Sequence, residues 1–213
     1  MNAILLVLIG ATIYISYKGF NDYNFFSTYK FHVGSIKAGE QFRMLTSGFL
    51  HNDIPHLAFN MLTLYFFAPL VIGHFGSITF LIMYFISLAS GSLLALNFHK
   101  NEYSYSAVGA SGAVTGILYS AILIDPSMSL YLFFIPIPIP AYIFGIGYLL
   151  YSIYGMKAKN DNIGHVAHFG GAIGGFATTL LQSPYMLYEN TLMVFLLLIP
   201  IIILFFLSKN GKL

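Results

Sequence analysis

Apolar runs broken at regular intervals by short polar stretches dominate this chain. They lie at roughly 2–17, 55–72, 77–96, 107–124, 163–181 and 192–207. Within each run apolar residues follow one another instead of alternating with polar ones, which predicts helices. Each run approaches the roughly 20 residues that cross a bilayer. A lipid core leaves exposed backbone groups without water, and the lack of alternation argues against a barrel, so the expected spans are helical. A further run, 130–154, is interrupted by Pro136, Pro138 and Pro140. Proline costs a helix interior about 3 kcal/mol, so this span is expected to begin near Pro140 and to be short. The stretch from Lys18 to Asp53 mixes charge with Tyr23, Phe25, Phe26 and Tyr29. That mixture suits a segment folded at the membrane interface.

Composition agrees with the pattern. Of 213 residues, 58% are hydrophobic and only 8% charged, against about 25% charged in a soluble domain. The fold class is therefore an all-α polytopic membrane protein, expected to bury its helices against the lipid bilayer and each other. The absence of cysteine excludes thiolate chemistry and a disulfide framework. A net charge of +2, scattered along the chain, gives no footprint for nucleic acid. The apolar start lacks a basic leader and reads as a first span, not a cleavable signal peptide. No internal repeat and no second domain stand out.

The chemistry resides in a few polar residues within the spans. Alternate spans enter from the same face, and three of them carry such residues near that end. One has His56 and Asn60, spaced i and i+4 on a single helical face. The next has Ser111, and the third His165 and His168. At 1.5 Å per residue they are expected at one depth, about one to one and a half turns in. Polar groups in a membrane interior are costly and face a partner or a cavity. Gly112 and Gly116 follow Ser111, while Gly170, Gly171, Gly174 and Gly175 follow His168. Such small-x-x-x-small surfaces let helices approach closely. If these two pack together, the helices run parallel and Ser111 falls beside His168.

A serine beside a neutral imidazole is an activatable nucleophile. Asn60, the His56 ring and the Ser111 backbone N–H can donate to an oxyanion. With no carboxylate at that depth, a Ser111–His168 dyad is favoured over a triad. Asp161, in the loop before the sixth span, is expected to face water. Other readings fit less well. A metal site built on His51, His56, His165 and His168 lacks carboxylates, so neither a metal nor another cofactor is called for. A nucleophile elbow needs G-x-S-x-G after a strand, and position 113 is alanine in a helical context. A transporter would show paired inverted repeats. His165 reads as structural or loop-capping.

Taken together, these residues resemble the rhomboid intramembrane serine proteases. His51, His56 and Asn60 match H-x4-H-x3-N, Gly109 to Gly112 match G-x-S-G, and His168-Phe169-Gly170-Gly171 match the sixth helix. The Phe-Phe-Ile-Pro-Ile-Pro stretch at 133–138 is similar to the approach to the fifth helix. The resemblance implies a six-helix core, 1–185, including the interfacial segment 18–53, plus one added helix and a basic tail, 186–213. It implies hydrolysis of peptide bonds in transmembrane segments of other membrane proteins. Ser111 would be the nucleophile and His168 the base, with Asn60, His56 and the Ser111 N–H forming the oxyanion hole. His51, Arg43, Gly109 and Gly112 would support the site, and substrate would enter laterally near the fifth helix.

Two positions depart from the family pattern. The aromatic four residues after the serine, which packs on the imidazole, is Thr115 here, so His168 is expected to be held by Phe169 or a neighbouring helix. Phe42 replaces a tryptophan before Arg43. Orientation brings two expectations into conflict. All nine basic residues fall on the active-site face in this topology, which the positive-inside rule would make cytoplasmic. The resemblance implies a cell-membrane protein whose site opens away from the cytoplasm, and that orientation is adopted here.

Overall fold

Helices form where the apolar runs predict them, and most of their ends carry a visible cause. The computed structural model describes residues 2–132, 135–158 and 164–210. The helices are α1 (Ala3–Asn21), α2 (Tyr23–Tyr29), α3 (Val33–Lys37), α4 (Arg43–Thr46), α5 (Ile54–Phe75), α6 (Ser77–Phe98), α7 (Ser111–Ile124), α8 (Ala141–Ala158), α9 (His165–Gln182), α10 (Met186–Glu189) and α11 (Thr191–Lys209). The strands are β1 (Phe31–His32), β2 (Ser106–Ala107), β3 (Ser129–Leu132) and β4 (Ile135–Pro140). Asn2 and Asp53 cap α1 and α5 through their side chains, satisfying backbone donors that the helix itself cannot. Gly76 turns the chain from α5 into α6 at φ 81°. Asn2 Nδ2 also donates to Ser77 Oγ at 2.8 Å, tying the start of α1 to the start of α6.

The protein is an all-α polytopic membrane bundle. By length and composition, α1, α5, α6 and α11 can each cross a membrane. At its centre α9 packs chiefly against α6 and α7, with α5 against α7 and α8 wedged between α9 and α11. Every residue of α7 from Gly112 to Leu123 is buried. This helix has 14 residues, hence a length of about 21 Å against a hydrocarbon core of about 30 Å. If its last turn reaches the opposite face, its first residue, Ser111, lies inside the hydrocarbon core by about 9 Å.

The centre is assembled on glycine. A Cβ built on Gly171 would collide with the Gly112 backbone, and one on Gly175 with the Gly116 backbone. The pairing of 112 with 171 and 116 with 175 makes α7 and α9 parallel neighbours. The other glycine row of α9 faces α6: a Cβ on Gly170 would lie 2.7 Å from Gly91 Cα, and one on Gly174 2.9 Å from Ser87 Cα. With no side chains intervening, three backbones meet at distances that only glycine permits.

Two expectations, on where the fourth and sixth spans begin, need correction. The fourth span does not start near Ala107. Residues Ser106 and Ala107 pair as β2 with β1, and Gly109 takes φ +133° while its N–H donates to Ser47 O at 3.0 Å. That backbone state is incompatible with a helix, so Ser111 opens α7 instead of sitting a turn inside it. His165 likewise opens α9. The proline-rich approach to the fifth span forms β4, paired antiparallel with β3; a two-stranded ribbon has open edges, which tolerate residues lacking an N–H. The helix itself then starts at Ala141, next to Pro140 as expected. Phe133, Phe134, Lys159, Asp161 and Lys212 lie outside the described residues.

The segment 18–53 is folded. Arg43 is buried and pins it, with Nε to Glu40 Oε2 at 2.5 Å and Nη1 to the carbonyls of Ser27 at 2.7 Å and Lys30 at 3.2 Å. Thr46 Oγ1 adds a bond to Tyr29 O at 2.8 Å. Phe42, where the resemblance expects tryptophan, packs edge-on against Tyr29 at 6.1 Å.

Candidate active site

The glycine seam sets two helix N-termini side by side. Ser111 is the first residue of α7 and His168 lies in the first turn of α9. Their side chains meet across the seam, with Ser111 Oγ 2.8 Å from His168 Nε2. No side chain caps α7, and the first backbone N–H of its helical ladder to find a partner is that of Val114, bonded to Ala110 O. The preceding N–H groups, including that of Ser111, lie at the positive end of the helix dipole.

The His56 ring stands on the other side of the serine. An ideal Cβ on Gly109 would lie 2.9 Å from His56 Nε2 and 3.6 Å from Ser111 Oγ. Glycine at 109 thus serves twice, allowing the positive φ and leaving room for the imidazole. Asn60 is buried one turn along α5 from His56, its Nδ2 donating to the His56 carbonyl at 3.0 Å. Gly112 faces α9, where a Cβ would come within 3.1 Å of Ala167 O.

His51 is a clamp. Ser16 Oγ donates to Phe49 O at 2.8 Å and so accepts from His51 Nδ1–H at 2.9 Å. The His51 Nε2 lone pair then receives the Ala110 N–H at 3.3 Å. One imidazole thus ties α1 to the residue before Ser111, and its tautomer follows from its partners. Burial, with the neighbouring His56 charge, pushes its pKa down from 6.5 to about 3 against a smaller opposing pull from Asp53. The rings of His51 and His56 meet edge-on at 4.8 Å. With both nitrogens engaged, His51 cannot join the four-histidine metal set. Arg43 stands apart from the site as the pin of the interfacial segment.

His165 packs into α8, its ring against Gly155 and edge-on to Tyr151 at 5.5 Å. Phe169 is fully buried in the core, and the ring that lies on His168 comes from Tyr148 of α8, at 5.2 Å between centroids and 27° between planes. Tyr148 Oη is 2.8 Å from His168 Nδ1. Neither Tyr148 nor Ser16 stands out in the sequence. Tyr148 is one of several tyrosines in an apolar run, and only its place on the face of α8 toward α9 marks it.

The rhomboid domain matches residues 38–185. The Arabidopsis thaliana mitochondrial RHOMBOID-like protein 12 is 31% identical over 182 residues, covering 78% of this chain and 54% of its own length. The Bacillus subtilis rhomboid protease GluP is 35% identical over 145 residues, covering 66% of this chain and 26% of its own. A shorter match, 35% identical over 83 residues, covers 39% of this chain and 24% of an Arabidopsis relative named inactive RHOMBOID-like protein 8. The chain thus spans about half the length of the first relative and about a quarter of the second.

Proposed function

Since this chain belongs to the rhomboid family, we propose that it is an intramembrane serine endopeptidase cutting transmembrane segments of other membrane proteins. The observation that carries the reading is the 2.8 Å contact between Ser111 Oγ and His168 Nε2, within the range a general base needs. Ser111 Oγ attacks the scissile carbonyl while His168 Nε2 takes its proton. The oxyanion that forms is held by the Ser111 N–H at the head of α7, with Asn60 and the His56 ring as further donors. His168 then returns the proton to the leaving amine, and water releases the acyl group by the same steps in reverse order. Two groups suffice because the packing of α7 on α9 sets Ser111 beside His168 and the Tyr148 side chain holds the imidazole in place of a carboxylate. Substrate enters beside α8, where the prolines of β4 precede the helix. The cell membrane, with the site open to the extracytoplasmic side, is the proposed setting; cysteine accessibility at Lys100 and Ser127 tests that orientation.

The second reading is a silent, substrate-binding relative, favoured by the match named inactive. Cleavage of a single-span reporter in detergent separates the two. The native protein is expected to cut, Ser111→Ala and His168→Ala to be folded but silent, and Asn60→Ala to lose about 10²–10³ in rate. Retained cleavage by Ser111→Ala would remove the serine from the mechanism, and a folded native protein that binds the reporter without cutting it would establish the silent reading.

A further inference from the structure

We propose that a cavity where α1, α2 and α5 meet binds the ammonium headgroup of a phospholipid, with phosphatidylethanolamine as its best ligand. The cavity has a volume of about 670 Å³. Its walls come from Phe20 near the end of α1, from Tyr23 and Phe26 of α2, and from Asp53 and Ile54 at the head of α5. These elements lie where two apolar spans give way to the polar segment 18–53, the level at which lipid headgroups sit. Tyr23 and Ile54 are 78% and 70% exposed, so the mouth faces the surroundings of the bundle and not its core. The site lies apart from the dyad, and the inference does not depend on whether the protein cuts.

Three aromatic residues beside one carboxylate make the lining that organic cations recognise. The carboxylate is fixed in place, because Asp53 Oδ1 accepts the His56 N–H at 2.7 Å and so caps α5. Among the described residues Asp53 takes part in no ion pair. Lys18, the neighbour of Gly19 in the cavity wall, holds its ammonium 4.4 Å over the Phe25 ring instead. The wall therefore keeps a negative charge that the chain itself does not answer. A primary ammonium can donate a charge-assisted hydrogen bond to it while its methylene groups pack on the rings. The trimethylammonium of choline has no N–H and keeps only the cation–π contact, and an anionic headgroup is repelled. The cation is expected on an amphiphile, since Tyr17 of α1 and Phe59 of α5 are also exposed and offer apolar surface on the spans that flank the cavity. A bound headgroup would join the α1–α2 elbow to the first turn of α5, which carries His56, and hold both at headgroup depth.

The test counts retained lipid. The whole chain in maltoside micelles is mixed with dioleoyl phosphatidylethanolamine, phosphatidylcholine or phosphatidylglycerol, and bound lipid is read by native mass spectrometry. One phosphatidylethanolamine should stay on each chain, phosphatidylcholine should be held more weakly, and phosphatidylglycerol should leave. Asp53→Asn removes the charge but keeps a residue that caps helices equally well, so α5 is preserved; retention should fall about fivefold or more. Tyr23→Ala, at an exposed position, should weaken it by a similar factor, and Tyr23→Phe should restore it. Glu189→Gln, beyond the far end of α9, should change nothing. A phosphatidylethanolamine with a diazirine at the head of one acyl chain should cross-link within 19–26 or 52–55. Equal retention of phosphatidylglycerol, or native retention by a folded Asp53→Asn protein, overturns the proposal. Phosphatidylcholine held as tightly as phosphatidylethanolamine overturns the assignment of a hydrogen-bonded primary amine. If Asp53→Asn keeps its lipid but loses kcat/KM only on reporters with a lysine beside the span, the carboxylate serves a protein partner and the lipid site is refuted.

Discussion

Gly171→Ala probes whether the dyad distance is set by the helix seam. A Cβ at 171 would fall 2.5 Å from Gly112 C and 2.9 Å from Gly112 Cα, whereas carbon atoms in contact rest at about 3.5–4.0 Å. Gly112 is backbone in a buried helix and cannot rotate away, so α7 and α9 must separate by about 1 Å. Ser111 is the next residue, so its distance to His168 Nε2 grows from 2.8 Å to nearly 4 Å, beyond the range of proton transfer. Displacements of that size cost on the order of 10² in rate, and the overpacking itself destabilises by about 1–3 kcal/mol. The assay is kcat on a single-span reporter, alongside the rate at which a fluorophosphonate labels Ser111 and the melting temperature in the same detergent. Gly147→Ala, where an added Cβ meets nothing within 4 Å, is the control and should keep native kcat. Gly112→Ala meets Ala167 O at 3.1 Å and should cost less than Gly171→Ala. A folded Gly171→Ala protein with kcat and labelling within about threefold of native would refute the claim that the seam sets the dyad.

Two further predictions concern the neighbours of the serine. His51 has a pKa of about 3 in the fold against 6.5 when solvated, so the unfolded chain takes up a proton that the native state refuses. Its contribution is complete above pH 6.5 and is lost as pH falls toward 3, by up to about 1.4 kcal/mol per pH unit. The melting temperature should fall between pH 6.5 and 5, and His51→Gln should flatten that slope; an equally steep slope in the variant would remove His51 as its cause. Gly109→Ala combines a φ of +133° with a Cβ 2.9 Å from the His56 ring. It should cost about 1–3 kcal/mol in backbone strain and lower kcat as His56 is displaced, while native kcat in a folded variant would contradict the placement of His56.

Much of the bundle is legible in the sequence because its determinants are local. Hydropathy marks α1, α5, α6 and α11, and glycine spacing pairs α7 with α9, since both depend on residues a few positions apart. The depth of Ser111 was less accessible. The run from Ala107 carries no charge, and the halt to helix comes from Gly109 bonding to Ser47, a contact across more than sixty positions. The β3–β4 ribbon escapes for another reason: proline reports where a helix cannot be, not what replaces it. The candidate site follows the same rule. Ser111, His168, His56 and Asn60 are conspicuous as polar residues in apolar surroundings. Tyr148 and Ser16 are ordinary for their helices, and their roles depend on which residue of another helix they meet.

The separation of Ser111 from His168 along the chain has a consequence for how such a protein comes into being. The two lie 57 positions apart, on helices that meet directly along the glycine seam. While α9 has yet to dock, α7 carries a serine with no base beside it. On the protease reading, hydrolytic capacity therefore arrives with the last central helix, not gradually as the chain is threaded into the bilayer. On that reading, a nascent chain made this way is harmless to the other spans crowding the insertion machinery until its own fold is complete.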